Sequence, residues 1–162
     1  MRLLIIRHGD PIYDPDTLTE KGKREADILG SWLKRNYKDV KNIYVSPLGR
    51  AQETAKPISD AYGIDATVLP WLKEFGPFKG YMKGRIPAIY GCWDYLPKDM
   101  EDEKGLYTEK WLELPQIANS KIPETYKQTI EGFDALLANH GYQKEETYYK
   151  VPKPNHDTIV LV

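Results

Sequence analysis

Cysteine is almost missing from this 162-residue chain: Cys92 stands alone. A disulfide framework and a cysteine-based zinc site are therefore excluded. No charge of one sign dominates, since 23 Lys+Arg face 24 Asp+Glu. Global charge thus predicts neither nucleic-acid nor membrane binding, and any anion site must be local. No apolar run approaches the ~20 residues of a membrane span. The apolar start, Leu3–Ile6, is too short for a signal-peptide core and is closed by Arg7. Internal repeats and low-complexity tracts are also absent. A cytoplasmic, soluble protein is the default these absences leave, and nothing fixes its oligomeric state. The length suits one domain over residues 1–162 that buries about two-thirds of its unfolded surface.

What is present alternates between strands and amphipathic helices. Arg2–Arg7 reads as a first strand and Asn42–Val45 as a second. Between them Thr19 is a good N-cap for a helix over Glu20–Asn36, with Ala26, Ile28, Leu29, Trp32 and Leu33 at helical spacing. Ser46-Pro47 reads as N-cap and first residue of a helix to about Tyr62, which Pro57 is expected to kink or split. Ala66–Leu69 reads as a third strand, Lys127–His140 as a helix, and Asp157–Val162 as a central strand. The order implies an α/β three-layer sandwich, with a mainly parallel central sheet and helices on both faces. Between about residues 75 and 123 the pattern breaks, and Phe75, Phe78, Tyr81, Tyr90, Trp93, Tyr95, Tyr107 and Trp111 crowd among Gly and Pro. That stretch reads either as an insertion of short helices folding over the sheet edge or as a satellite hydrophobic cluster.

Chemistry concentrates at two strand ends. Leu3-Leu4-Ile5-Ile6 runs into Arg7-His8-Gly9-Asp10, which delivers a cation and an imidazole to the carboxyl edge of a parallel sheet, where ligands bind. Arginine can clamp an anion with two parallel N–H bonds, and histidine can serve as nucleophile, acid or base near neutral pH. Alone, Arg-His-Gly is a weak three-residue signal that reads more readily as a strand-end turn with a solvated arginine and a satisfied histidine. A second junction changes the weighting: Ser46-Pro47-Leu48-Gly49-Arg50-Ala51-Gln52-Glu53-Thr54-Ala55 follows another strand and opens another helix. Arg50 falls near that helix's first turn, where backbone N–H groups and the dipole favour an anion. The bland alternative is an exposed Arg50 pairing with Glu53 one turn on, which would be worth little.

These segments, with Leu18-Thr19-Glu20-Lys21-Gly22 between them, resemble the histidine phosphatase superfamily, the phosphoglycerate mutase-like group. The three motifs occur in the family's order over roughly the first third of the chain. The resemblance implies a phosphoglycerate mutase-like fold, His8 as a nucleophile that becomes phosphohistidine, and Arg7 and Arg50 as holders of the phosphoryl oxygens. It also implies a general acid just after the third strand, matched here by Glu74 in Leu72-Lys73-Glu74 with Gly76 and Gly80 beyond. Shelter from Trp71 and Phe75 would raise the pKa of such a proton donor, whereas the ordinary alternative is a surface glutamate beside Lys73. Asp10 stands where the family often has Glu or Gln and is expected to order the loop rather than take a chemical step.

One departure stands out. The family carries a second histidine after its last core strand, and here that strand, Asp157–Val162, is where the sequence ends. His156 precedes the strand and is expected at the opposite edge from His8, while His140 before Gly141 suits a helix end. The simplest account is a C-terminally truncated chain.

The expected reaction is hydrolysis of a small-molecule phosphomonoester. Neutral His8 attacks phosphorus, Arg7 and Arg50 stabilise the equatorial oxygens, and Glu74 serves as acid and then base. Low pH that protonates His8 should stop it. No metal and no cofactor are expected, because the arginines and histidines supply the positive charge. Two alternatives remain: mutase-type phosphoryl transfer, and a non-catalytic phosphate-binding domain should the natural chain end at Val162.

Overall fold

A computed structural model describes residues 1–75, 78–80, 88–90, 109–113 and 115–162. The chain divides into two compact units, Met1–Lys73 with Ala138–Val162, and Glu74–Leu137.

In the first unit, β1 (Arg2–Ile5) leads into a short antiparallel hairpin of β2 (Pro11–Ile12) and β3 (Thr17–Leu18). There follow α1 (Glu20–Asn36), β4 (Val40–Val45), α2 (Gly49–Tyr62) and β5 (Thr67–Val68). The order β1–β10–β4–β5, with β10 at Thr158–Leu161, makes a four-stranded sheet whose pairs are all parallel. Every residue of β10 is buried, as a strand flanked on both sides requires. The fold is thus α/β with a mainly parallel central sheet. Because the strands are parallel, the segments leaving β1 and β4 emerge at the same carboxyl edge, and His156, before β10, lies at the other.

Thr19 caps α1 as its sequence suggests, its hydroxyl accepting the Gly22 N–H at 3.0 Å, an interaction worth about 1 kcal/mol. The buried stripe of α1 runs through Gly22, Ala26, Gly30 and Leu33. Ile28 and Trp32 are exposed instead, because the stripe follows Gly30, against which the Pro57 carbonyl of α2 lies. Leu33, Val40, Ile43, Val45, Ala51, Ala55, Ile58 and Val160 form the core between these helices and the sheet. α2 runs unbroken past Pro57; a proline at that point removes one N–H but leaves the rest of the ladder. It starts at Gly49 rather than Pro47, and Ser46 is no cap: among the described residues its Oγ accepts the Leu48 N–H, at 3.3 Å, and no N–H of the helix. Before β10 the first unit also holds a hairpin of β8 (Gln143–Glu145) and β9 (Tyr148–Lys150).

The second unit holds a hairpin of β6 (Phe78–Gly80) and β7 (Ala88–Tyr90), a 3-10 turn at Glu109–Glu113, α3 (Pro115–Ala118) and most of α4 (Ile122–Asn139). α4 begins five residues before Lys127. Ser120 Oγ accepts the Ile122 N–H at 3.1 Å, and Pro123 sits in the first turn, where a missing N–H costs nothing. Trp111 meets Tyr126 edge-on at 5.3 Å. Short helices therefore do occur in the aromatic stretch, whereas Gly76, Tyr81, Trp93, Tyr95 and Tyr107 lie outside the described residues. No described helix is long and apolar enough to cross a membrane.

Candidate active site

β1 ends at Ile5, so Arg7 and His8 stand beyond the hydrogen-bonded strand, with Arg7 exposed and His8 half-buried. His8 Nδ1 lies 2.8 Å from the Gly9 carbonyl oxygen. A carbonyl can only accept, so Nδ1 carries the proton and the neutral ring keeps its lone pair on Nε2. Gly9 has to be glycine: a Cβ there would stand 2.7 Å from the Gly22 carbonyl oxygen. The Arg-His-Gly turn is thereby pressed on the first turn of α1, which accounts for the glycines of two motifs at once. Asp10 fastens the same turn. Its carboxylate accepts the Thr19 hydroxyl at 2.8 Å, its carbonyl accepts the Thr19 N–H at 3.0 Å, and its N–H donates to Glu25 at 3.0 Å.

The Gly9 N–H donates to Thr54 Oγ1 at 3.0 Å, and that hydroxyl donates to the Arg50 carbonyl at 2.8 Å. Thr54 is buried on α2 one turn beyond Arg50. The segment carrying His8 is thus docked on the opening turns of the helix that carries Arg50. Two remote loops meet through one hydroxyl.

Arg50 is buried, with its side chain 8% exposed. It does not pair with Glu53. Its Nη1 donates to Asp16 Oδ1 at 2.7 Å, and the Asp16 carboxylate also accepts the Gly49 N–H at 2.6 Å and the Arg50 N–H at 3.5 Å. Partial burial pushes the Asp16 carboxyl up, but the Arg50 side-chain bond and the backbone bonds from Gly49 and Arg50 outweigh it. The carboxyl ends below the usual aspartate range. Glu53 is turned to the other strand of the hairpin, accepting the Thr17 hydroxyl and, at 3.0 Å, the Leu18 N–H. Those bonds hold its carboxyl below the usual glutamate range too. Gly49 leaves room for this docking, since a Cβ there would collide with the Asp16 carbonyl oxygen.

A model of the histidine phosphatase superfamily, branch 1, matches residues 3–141. The chain belongs to that superfamily. The phosphohistidine phosphatase SixA of Escherichia coli is 32% identical over 47% of this chain and 52% of its own length, so the match spans about half of that relative. The 2,3-bisphosphoglycerate-dependent phosphoglycerate mutase of Thermoplasma acidophilum is 36% identical, over 98% of this chain and 85% of the mutase. Among solved structures, a mycobacterial glucosyl-3-phosphoglycerate phosphatase superposes with a TM-score of 0.55 at 19% identity, covering 99% of this chain and 74% of that one. That likeness bears on the fold alone.

The geometry of this superfamily member therefore gathers His8, Gly9, Thr54 and Arg50, with Arg7 beside them in the chain. Glu74 follows the segment that leaves β5; it is exposed, between half-buried Trp71–Leu72 and half-buried Phe75, and is the first residue of the second unit. His140 is a structural group. It follows α4, lies 2.9 Å through Nε2 from the Tyr44 hydroxyl, and burial lowers its pKa. The sequence pattern assigns no role to Asp16 or Tyr13, and it holds Thr54 only as one member of the second motif. The signal available for Asp16 was its turn chemistry, Asp14-Pro15-Asp16, but nothing local says that the carboxylate reaches a helix start 33 residues on.

Proposed function

We propose that this protein hydrolyses small-molecule phosphomonoesters in two steps through a phosphohistidine on His8. The hydrogen bond from His8 Nδ1 to the Gly9 carbonyl carries the reading, because it leaves Nε2 as the nucleophilic nitrogen at the carboxyl edge of the sheet. In the first step Nε2 forms a bond to phosphorus as the ester P–O bond breaks, with Arg7 and Arg50 on the equatorial oxygens. Glu74 gives its proton to the departing alkoxide. In the second step water attacks phosphorus, the P–N bond breaks, Glu74 takes the proton, and inorganic phosphate leaves. The cytoplasm is the compartment that suits such a substrate.

A second reading, transfer between positions of one phosphorylated acid, is favoured by the likeness to a phosphoglycerate mutase over nearly the whole chain. One experiment addresses both. The protein is turned over with a 32P-labelled aryl phosphate and, separately, with a phosphoglycerate pair, then quenched in alkali. Acid-labile label on His8, lost in His8→Ala, is the expected result, with net release of phosphate. Turnover of the aryl phosphate without label on wild-type protein would overturn the nucleophile. Interconversion of the pair without phosphate release would replace hydrolysis by transfer.

A further inference from the structure

The two-step scheme leaves Asp16 without a role, yet the tip of the β2–β3 hairpin is built around Arg50. Asp16 meets the guanidinium edge at Nη1, 2.7 Å away, and Tyr13 places its ring 5.2 Å from the guanidinium carbon. A distance below about 6 Å is within cation–π range. One four-residue turn, Tyr13–Asp16, thus supplies a carboxylate to the edge and an aromatic ring to the face of the same side chain. The carboxylate does a second thing. Leu48, the N-cap of α2, makes no side-chain cap bond, and Asp16 takes the N–H groups of Gly49 and Arg50 instead. One carboxylate therefore bonds both the helix start and the guanidinium, which couples the backbone of Arg50 to its side chain.

A planar fork selects a phosphoryl group only in one orientation, and displacement of about 1 Å can cost about 100-fold in rate. We infer that Asp16 is the positioning residue for Arg50: it caps α2 from the hairpin and orients the guanidinium for a phosphoryl oxygen, with Tyr13 as the second wall. The inference rests on Arg50 holding phosphate, as proposed above. Asp16 touches neither substrate nor the reacting atoms in this scheme. A plain counter-ion would add stability and nothing more, whereas a positioning residue also sets how tightly phosphate and the transition state are held.

The test is a double-mutant cycle on aryl phosphate hydrolysis, with affinity for inorganic phosphate measured calorimetrically on the same proteins. Asp16→Asn keeps an acceptor for the Gly49 N–H and removes the charge facing Arg50. It is expected to lower kcat/KM by about tenfold or more, with weaker phosphate binding. In an Arg50→Met background the same substitution should change kcat/KM by less than about twofold, since contacting residues that act as a unit are not additive. A side-chain readout stands apart from activity: 15N-labelled wild-type protein should show separate, slowly exchanging Arg50 Nη–H signals that collapse in Asp16→Asn. Should that variant not fold, Tyr13→Leu is expected to broaden the same signals and lower kcat/KM by about threefold. Additive effects in the cycle, or Arg50 signals indifferent to Asp16 and Tyr13, would overturn the inference while leaving hydrolysis intact. Wild-type protein that holds Arg50 rigid yet neither binds phosphate nor turns over an ester would sink the proposed function, and the positioning role with it.

Discussion

The two arginines proposed to hold one phosphoryl group, Arg7 and Arg50, stand in opposite surroundings. Arg7 projects from a strand end, is exposed, and makes no ion pair with a described residue. Arg50 is buried, shares a carboxylate with its own helix start and carries an aromatic ring on its face. An exposed cation contributes little to folding, whatever it does for a ligand. A buried one is tolerated only with a partner, and removing either member leaves an uncompensated charge. The contrast separates binding from building: the proposed role of Arg7 carries no structural duty among the described residues, while Arg50 belongs to the architecture whatever it binds.

The largest expected effect is therefore at Arg50. Arg50→Met should cost about 100- to 1,000-fold in kcat/KM, by analogy with losing a fixed oxyanion donor. It should also cost about 2 kcal/mol in urea unfolding, below the full penalty for a buried pair because the Asp16 side chain left behind is 31% exposed. Arg7→Met should lose about 100-fold in kcat/KM while its unfolding midpoint stays within about 0.5 kcal/mol of wild type. Equal destabilisation by the two variants would erase the contrast. Full activity in Arg7→Met would remove Arg7 from the phosphate site.

The same contrast explains what was legible in the sequence. The Arg7 junction depends on local pattern: an apolar run, a break, and a glycine that must pass the Gly22 carbonyl. The start of α1 at Thr19 is equally local, since cap and capped N–H are three residues apart. β10 is readable because a strand buried on both faces has to be apolar throughout. The Arg50 junction is different. Ser46-Pro47 has the chemistry of a helix start, but the helix waits until Gly49 because its cap comes from Asp16, in another loop. Glu53 has the spacing to pair with Arg50 and instead ties down Thr17 and Leu18. A window along the chain records spacing within a helix and carries no trace of a carboxylate arriving from outside it. Ile28 and Trp32 mislead for a related reason: they have helical spacing, but the line of contact is set by where α2 crosses at Gly30.

Acid should expose the built region before the exposed one. Asp16 and Glu53 both titrate below their unfolded values of about 3.9 and 4.3. Their contribution is fully present above those values and is lost as pH falls through the lower folded ones. His140 is also lowered, so its share is complete above about 6.5 and declines as pH drops below that. Urea midpoints against pH should therefore decline in two stages, a small one below pH 6.5 and a steeper one below pH 4. Asp16→Asn should flatten only the lower stage, and Arg7→Met neither. A lower stage unchanged in Asp16→Asn would show that the carboxylate gains nothing from Arg50 in solution.

The smallest effect tests the tie between the two junctions. Thr54 Oγ1 accepts the Gly9 N–H and donates to the Arg50 carbonyl, so the hydroxyl is the described link from the His8 turn to the helix of Arg50. Thr54→Val keeps the shape and leaves the Gly9 N–H without its acceptor, which should cost about 1–2 kcal/mol. If the link only adds stability, kcat/KM should follow wild type in conditions where both proteins are folded. If it sets the spacing of nucleophile and cation, kcat should drop several-fold, by less than about tenfold, and Thr54→Ser, which restores the hydroxyl, should recover it. The second outcome is expected, because the turn is clamped on its other side by Gly22 and has only this contact to hold it against α2 among the described hydrogen bonds.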